Sequence, residues 1–170
     1  MKSEIQGAEI SWFAPICDGD DAFLGERNPI YKSSWENTSS IIKTADRLGY
    51  SNVLCPSSYQ VGQDTLSFVS AMAPLTKQIN FLAAIRCGEI HPPMLARTIA
   101  TLDHILKGRL TINIISSDLP GMKLESSERY LRSREVIHIL KQSWTQDNIN
   151  FKGKFYNINL PSAPVKLYQQ

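Results

Sequence analysis

The amino-acid sequence predicts an α/β fold with a parallel sheet, and two features of the chain support this. Four short apolar runs show no regular alternation of apolar and polar residues, which is typical of strands buried on both faces. Segments with the spacing of amphipathic helices separate these runs, so the chain repeats a βα unit. Parallel sheets of this kind bind their ligands beyond the carboxyl ends of the strands.

Four strands and four helices are expected in alternation. The strands are predicted at residues 9–14, 52–55, 79–86 and 110–115. Each predicted helix carries a stripe of residues three or four positions apart, most of them apolar. The stripes are Trp35, Thr38, Ile42, Ala45 and Leu48; Leu66, Val69, Met72 and Leu75; Leu95, Ile99, Leu102 and Leu106; and Tyr130, Ser133, Ile137, Leu140 and Trp144.

Residues with known preferences mark the ends of these helices. Gly49 and Gly108 follow the first and third stripes, where glycine commonly ends a helix. Asp64 precedes the second stripe as an N-cap, whose carboxylate accepts a backbone hydrogen bond. Ser126 or Ser127 opens the fourth helix. After that helix the pattern changes: residues 148–160 predict a small β-hairpin, and residues 161–170 a proline-rich connector.

The connection after the first strand distinguishes between two kinds of parallel α/β fold. Residues 15–31 contain neither a G-x-G-x-x-G fingerprint nor a phosphate-loop lysine, which disfavours a dinucleotide-binding sheet. A (β/α)8 TIM barrel is favoured instead, and such a barrel needs about 250 residues. The 170 residues of this chain supply only four βα units. Residues 1–170 are therefore interpreted as the amino-terminal half of a barrel domain.

Composition narrows the classes of function. Hydrophobic residues make up 42% of the chain and charged residues 20%, as in ordinary soluble domains. A net charge of +2 without a basic cluster argues against nucleic-acid binding, and no apolar run is long enough to cross a membrane. The N-terminus lacks the features of a signal peptide, and three widely spaced cysteines indicate reduced thiols. The expected location is the cytoplasm.

Residue spacing alone assigns no catalytic group. The three histidines share no metal-ligand spacing with one another or with the cysteines, and no metal site is predicted. Neither a nucleophile elbow nor a pair of catalytic carboxylates stands out. The catalytic residues therefore stay unassigned.

Four segments carry a family resemblance: ADRLGYSNVL (45–54), INFLAAIR (79–86), ARTIATLDHILKGRLTINIISSDLP (96–120) and SERYLRSREVIHILKQSWTQDNINFKGKFY (127–156). Together they resemble the luciferase-like flavin-dependent monooxygenases, nearest the alkanesulfonate and long-chain alkane monooxygenase branch. The most specific part is the block R-x-x-A-T-L-D-x-x-x-x-G-R combined with the helix start SERY.

The resemblance implies a (β/α)8 barrel that binds reduced flavin mononucleotide (FMNH2) at the carboxyl ends of its strands. It also implies that the protein uses O2 to oxidise a small organic substrate, receives FMNH2 from a partner reductase, and associates as a dimer or tetramer. In such enzymes the oxidation chemistry belongs to the cofactor, whereas the protein positions it and excludes water.

The resemblance assigns cofactor contacts to five positions. Ser117 follows the fourth strand and matches a flavin-contacting serine, and Ser116 lies where relatives have threonine. Tyr130 matches the tyrosine of the family's H-x-x-R-Y motif, which reaches the flavin phosphate. Asn113, within the fourth strand, and Asp64 match further flavin-site positions. Each position also has a structural alternative, namely turn formation for the serines, helix anchoring for the tyrosine, an amide network for the asparagine and an N-cap for the aspartate.

Arg86 is the candidate substrate ligand. It ends the third strand, where its guanidinium is expected either to hold an anionic sulfonate or to form a salt bridge with a neighbouring loop. Two departures from the family pattern affect the site: Ser126 replaces the leading histidine of the motif, and the loop between Ser117 and Ser126 is shorter. The second half of the family's barrel, with further phosphate and substrate contacts, has no counterpart in these 170 residues.

A half barrel leaves an unpaired strand at each edge of its sheet. We therefore expect the chain to form an oligomer, to pair with a polypeptide that supplies the missing C-terminal half, or to be a fragment of a longer protein. Three functions stay open: an FMNH2-dependent monooxygenase acting on an organosulfonate or similar substrate, a coenzyme F420-dependent reductase of the same superfamily, and a non-catalytic flavin-binding or scaffold subunit.

Overall fold

The computed structural model describes residues 9–17, 33–59 and 62–169. Residues 18–31 of the long connection after the first predicted strand, and the last residue of the predicted connector, lie outside the described residues. The chain divides into two compact units, Met1–Ala83 and Ala84–Gln170. The strand Asn80–Arg86 begins in the first unit and ends in the second.

The described residues form six strands and four α-helices. The strands are β1 Ser11–Phe13, β2 Asn52–Cys55, β3 Asn80–Arg86, β4 Leu110–Ile115, β5 Asn148–Lys152 and β6 Asn157–Pro161. The helices are α1 Trp35–Leu48, α2 Thr65–Met72, α3 Pro92–Leu106 and α4 Ser126–Thr145, and a 3-10 turn, Ala73–Leu75, continues α2. The four predicted barrel strands and the four predicted helices are confirmed.

The first unit contains β1, β2 and the start of β3, which lie side by side in parallel. Ser11 pairs with Asn52, and Asn52 pairs with Asn80, so the three strands begin at the same level. Apolar side chains from the strands and from α1 and α2 form the core of this unit. Its largest fully buried side chains are Ile16, Ile42, Val53, Val69, Met72, Ile79 and Phe81.

The second unit contains the end of β3, its neighbour β4, helices α3 and α4, and an antiparallel hairpin formed by β5 and β6. Helix α4 packs on α3, and the indole N–H of Trp144 donates to the carbonyl of Ala96 at 3.1 Å. Ile149 and Ile158 of the hairpin pack against Ile139 of α4. The predicted hairpin is confirmed.

The strand order β1-β2-β3-β4 follows the order of the chain. This order is the one expected for a (β/α)8 barrel, whereas a doubly wound sheet reverses its order at a switch point. The predicted fold class, a partial barrel of four βα units with a hairpin near the C-terminus, is confirmed.

Local signals explain most helix ends. Asp64 caps α2, because its Oδ1 accepts the N–H of Ser67 at 2.8 Å. Gly49 ends α1 with φ 82°, a left-handed conformation that glycine adopts without strain. Helix α2 ends at Met72, earlier than the predicted stripe, because Pro74 has no N–H to continue the α-helical ladder.

The buried face of α4 differs from the predicted stripe. Tyr130 is 65% exposed, and Ile137 and Trp144 are only half-buried. Polar side chains share the buried face with apolar ones, because Arg132 and Glu135 form hydrogen bonds with backbone groups of other segments. Apolar spacing cannot identify such residues. The buried residues of α4 are Arg132, Ser133, Glu135, Val136, Ile139, Leu140 and Ser143.

Three buried carboxylates connect helices to distant backbone segments. In the first unit, Asp46 of α1 accepts the N–H groups of residues 77, 78 and 79 at 2.8 to 3.0 Å. In the second unit, Asp103 of α3 accepts the N–H groups of residues 168 and 169 at 2.8 and 3.0 Å. Burying a carboxylate is costly unless hydrogen bonds compensate its lost hydration, and these backbone donors provide them.

Glu135 of α4 is the third of these carboxylates. It accepts the N–H groups of Lys154, Phe155 and Tyr156 in the hairpin turn at 2.7, 3.0 and 3.1 Å. Gly153 lies directly against it, and a Cβ at that position would lie 2.5 Å from the carboxylate. A side chain at residue 153 would therefore displace the Glu135 carboxylate from its present position against the hairpin turn.

Replacing Glu135 is expected to destabilise the second unit. The change Glu135→Gln turns an anionic acceptor into an amide whose N–H2 faces backbone donors, and hydrogen bonds to a charged group contribute about 1.5–3 kcal/mol each. We expect the free energy of unfolding, measured in urea, to fall by about 2 kcal/mol or more.

Glu89→Gln is the matched control for this substitution, because Glu89 is exposed. It is expected to leave the free energy of unfolding unchanged. Equal stability of the two variants would show that Glu135 does not hold the hairpin.

Candidate functional site

The carboxyl ends of β3 and β4 bring together most of the residues identified from the sequence. Arg86 is the last residue of β3, and Ser116 and Ser117 directly follow β4. Tyr130 lies near the start of α4, the helix that the chain enters next. Asn113 lies within β4. Residues 116–125, the β4–α4 loop, therefore form the centre of the candidate site.

Ser116 faces helix α4. Its hydroxyl donates to Oγ of Ser133 at 2.7 Å. Both serines and Tyr130 line a groove of about 370 Å³ between β4 and α4, here named the edge groove. The structure thus brings Ser116 and Tyr130 together on the helix side of β4, whereas their contact with a cofactor stays a prediction. The edge groove is lined by Ile114, Ser116, Tyr130, Ser133, Arg134, Ile137, His138 and Lys141.

A buried arginine holds the start of the β4–α4 loop. Arg132 is 3% exposed, and its Nη2 donates to the carbonyl of Ser117 at 2.9 Å. Its Nη1 contacts the sulfur of Met122 at 3.5 Å, and its Nε has no acceptor among the described residues. Gly88 adopts φ 98°, and a Cβ there would lie 3.0 Å from the Arg132 side chain. The position of Ser117 therefore depends on Arg132, which the sequence analysis did not identify.

Asp118 organises the outer part of the same loop. Its Oδ1 accepts the N–H of Leu124 at 3.1 Å and lies 3.5 Å from Nη1 of Arg129. The Leu124 hydrogen bond and the nearby Arg129 charge lower the pKa of the Asp118 carboxyl below its ordinary value. Arg86 also contacts this residue, since its Nη1 donates to the Asp118 carbonyl at 3.3 Å. This contact to the loop is a hydrogen bond to a backbone carbonyl, whereas the predicted alternative was a salt bridge, and the role of Arg86 toward a substrate stays a prediction.

Asn113 lies on the face of β4 that points away from α4. Side chains alternate between the faces of a strand, and Ile114 faces α4, so Asn113 points to the opposite side. The Asn113 side chain is half-buried, and within the described parts of the chain its amide has no hydrogen-bond partner. The alternative of a buried amide network is thus not seen, and the amide is available to a ligand.

Asp64 lies in the first unit, where the N-cap of α2 accounts for its carboxylate. Its predicted contact with a cofactor is not tested by this geometry and stays a prediction.

Cys55 lies in the first unit and Cys87 in the second, and both are free thiols. Burial raises the pKa of Cys55 to about 12. Burial also raises the pKa of Cys87, although a hydrogen bond with Ser133 and the charge of Arg132 partly offset this. Both thiols are therefore protonated near neutral pH, and neither is suited to nucleophilic catalysis.

Residues 9–17, 33–59 and 62–169 contain no group of three or more His, Cys, Asp or Glu side chains arranged to hold a metal ion. In the same ranges, no helix is long and apolar enough to cross a membrane.

The groups around β4 are of the chemical kinds that bind a flavin nucleotide. Asn113 offers an amide donor and acceptor, and the exposed Tyr130 offers a hydroxyl, both suited to the polar atoms of a cofactor. Arg132 adds a buried positive charge with one N–H still without an acceptor in the described chain. Such a charge favours an anionic group nearby.

Sequence comparison identifies the family to which this arrangement belongs. The family model of the luciferase-like monooxygenases matches residues 9–169. The chain belongs to this family.

One curated relative is similar to this chain over nearly all of its 170 residues. The sulfoquinovose monooxygenase of Agrobacterium fabrum is 55% identical over 168 residues, which is 98% of this chain but 44% of the relative. This luciferase-like chain thus spans less than half the length of the curated relative it matches.

Solved structures show the same fold at lower identity. A long-chain alkane monooxygenase matches with a TM-score of 0.78 and 20% identity, covering 95% of this chain and 50% of that one. The coenzyme F420 dependent tetrahydromethanopterin reductase of Methanopyrus kandleri matches with a TM-score of 0.70 and 18% identity, covering 95% and 47%. At these identities the matches show a shared fold alone.

The lowered pKa of Asp118 predicts how the β4–α4 loop responds to acid. A carboxyl group whose pKa is lower in the folded state contributes stability above its ordinary value, about 3.8, and loses it as the pH falls through the lowered pKa. Asp118→Asn is therefore expected to reduce the free energy of unfolding at pH 7 and to make little difference in strong acid.

Urea unfolding of both proteins from pH 7 down into the acid range measures this difference. Asp147→Asn, at an exposed position, serves as the control. A stability difference for Asp118→Asn that stays constant with pH would contradict the assignment.

Proposed function

We propose that this chain is part of an FMNH2-dependent monooxygenase that oxidises an organosulfonate, with sulfoquinovose as the first candidate. The observation that carries the proposal is the 55% identity to a sulfoquinovose monooxygenase over 98% of the chain. The match includes the β4–α4 loop and its supporting residues. When bound, FMNH2 would supply two electrons to O2, so that one oxygen atom passes to the substrate and the other leaves as water.

The proposal assigns a role to each residue of the candidate site. Asn113 and Ser117 hydrogen-bond to the flavin, and Tyr130 contacts its phosphate. Arg132 keeps the Ser117 carbonyl in place and adds positive charge near the anionic cofactor. These groups bind and orient the flavin. The proposal gives no residue of this chain a role in proton transfer.

Arg86 is proposed to hold the sulfonate of the substrate. Its planar guanidinium suits the oxygens of an anionic group, and its hydrogen bond to the Asp118 carbonyl orients it at the end of β3. The same anchoring places Arg86 beside the β4–α4 loop, next to the proposed flavin contacts.

The complete reaction requires further components. We propose that a reductase supplies FMNH2, and that polypeptide corresponding to the rest of the relatives completes the barrel. A cytoplasmic location fits the free thiols and the need for cellular reductant.

A coenzyme F420-dependent reductase is the second candidate. The shared fold with the Methanopyrus kandleri reductase supports it, at 18% identity. The much higher identity to a monooxygenase favours the flavin.

Cofactor titration distinguishes these functions. Anaerobic calorimetry of the chain with FMNH2, oxidised FMN and reduced F420 is expected to show the tightest binding for FMNH2, in the micromolar range. Ser117→Ala and Tyr130→Phe are each expected to weaken this binding about three- to tenfold, because each removes a neutral hydrogen bond.

Tyr168→Phe is the matched control, since it removes the hydroxyl of another exposed tyrosine, one held near the start of β4 by Asp103. Tighter binding of F420 would favour the reductase. A folded chain that binds none of the three cofactors would refute the flavin contacts assigned here.

The role of Arg86 predicts selectivity for a sulfonate. With FMNH2 bound, sulfoquinovose is expected to perturb flavin fluorescence, whereas glucose, a sugar without the sulfonate, is not. Arg86→Met is expected to weaken the sulfoquinovose response about tenfold or more, because a charge-assisted hydrogen bond is lost, while FMNH2 affinity stays the same. An equal response to both sugars would contradict this role.

A further inference from the structure

The β4–α4 loop places an exposed thioether against a buried guanidinium. Met122 is 50% exposed, whereas Arg132 is 3% exposed. Nη1 of Arg132 donates to the sulfur of Met122 at 3.5 Å. A thioether sulfur is a weak acceptor, whereas the strong hydrogen bonds of a guanidinium are those it donates to oxygen. This nitrogen of the buried cation is therefore poorly compensated for its lost hydration.

A second nitrogen of the same guanidinium has no partner. Nε of Arg132 is inaccessible to solvent and has no acceptor within the described ranges. Burying a polar group without a hydrogen bond is costly, and more so when the group is charged. Nη2, in contrast, donates to the Ser117 carbonyl at 2.9 Å. An oxygen acceptor added beside Met122 would thus stabilise Arg132 without removing it from Ser117.

The backbone of the loop holds Met122 in this position. The Met122 N–H donates to the Leu119 carbonyl at 2.9 Å and so closes a four-residue turn. Pro120 and Gly121, the latter with φ 74°, occupy the two central positions as a type II turn requires. The Met122 side chain therefore starts from a fixed point, and its own flexible torsions decide where the sulfur lies.

We infer that Met122 is a site of reversible oxidation to methionine sulfoxide, at which Arg132 binds the sulfoxide oxygen. The oxidant is hydrogen peroxide. A solvent-facing lone pair of the sulfur attacks one peroxide oxygen, and the S–O bond forms as the O–O bond breaks. The proton of the attacked oxygen passes to the departing hydroxide, which leaves as water. The sulfur loses two electrons and the peroxide gains them.

The sulfoxide oxygen fits between the sulfur and the guanidinium. An N–H···O hydrogen bond is about 2.7–3.2 Å long and meets the S–O bond at an angle, so the sulfur can stay near its present 3.5 Å from Nη1. The unbranched side chain of Met122 can turn the new oxygen from solvent toward Arg132. A strong acceptor then replaces a weak one, and the oxidised side chain ties the loop more firmly to α4.

The other two methionines of the described ranges lack this arrangement. Met72 is fully buried in the first unit, where a polar sulfoxide would disrupt the apolar core. Met94 of α3 is 45% exposed, similar to Met122, but no donor in the described chain is bound to its sulfur. Oxidation at Met94 is expected to leave the β4–α4 loop unchanged, which makes Met94 the matched control.

Two variants separate the exposed methionines. Met94→Leu keeps Met122, and Met122→Leu keeps Met94, each with little change in volume. Both are treated with hydrogen peroxide, peptide mass spectrometry identifies the oxidised positions, and amide hydrogen exchange is measured before and after treatment.

Oxidised Met94→Leu is expected to exchange the N–H groups of Met122 and Leu124 about fivefold or more slowly than the untreated variant, because a charge-assisted hydrogen bond holds the loop closed. Methionine sulfoxide reductases, one for each sulfoxide epimer, are expected to restore the original rates. Oxidised Met122→Leu is expected to show unchanged rates at both positions.

Arg132→Leu in the Met94→Leu background tests which group binds the oxygen. It removes every donor of the guanidinium, so oxidation is expected to slow exchange no longer. Slowing that persists in this variant would show that another group binds the sulfoxide. The comparison of the two methionine variants does not depend on how well this third variant folds.

These measurements use neither flavin nor substrate, so their outcome is independent of the proposed function. Unchanged or faster exchange in oxidised Met94→Leu would overturn the inference. A Met122 that stays unoxidised under conditions that oxidise Met94 in the other variant would overturn it as well.

Discussion

The fold depends on buried carboxylates that accept several backbone N–H groups from distant segments. Asp46, Asp103 and Glu135 lie on three different helices, and each binds two or three consecutive N–H groups. The backbone N–H groups in these segments lie outside the paired strands and have no carbonyl partner there. The carboxylates accept their hydrogen bonds instead. The helix and the returning segment thereby fix each other's position.

The geometry of the candidate site depends on helix α4, which one of these carboxylates, Glu135, connects to the hairpin turn. Glu135 ties α4 to the hairpin turn, and one turn earlier on the same buried face Arg132 binds the Ser117 carbonyl. The outer part of the loop is held separately by the Asp118 carboxylate, through the Leu124 N–H. Residues that contact no ligand therefore position those proposed to contact flavin, which is how a loop on a rigid framework becomes a precise site.

Sequence patterns correctly predicted the strands and most helix ends, which depend on residues only a few positions apart in the chain. Apolar runs, the Asp64 cap and Gly49 act within a few residues, and the strands and helix ends followed from them. The three carboxylates and Arg132 were missed as structural residues because their partners lie 15 to 66 residues away in the chain. Of the predicted site, the structure groups Arg86, Ser116, Ser117 and Tyr130 around one loop, and it assigns Asp64 to a helix cap.

Strand β4 is more exposed than its apolar composition predicts, and this difference has a physical cause. A strand of the sequence LTINII has the residues of an interior strand, yet only its first residue is fully buried. Likewise Ile137, on the helical stripe predicted to be buried, lines an open groove. Apolar residues at an edge cost solubility and gain no stability unless something covers them. The disagreement between predicted and observed burial at β4 and Ile137 therefore marks an edge of the sheet that no described strand covers.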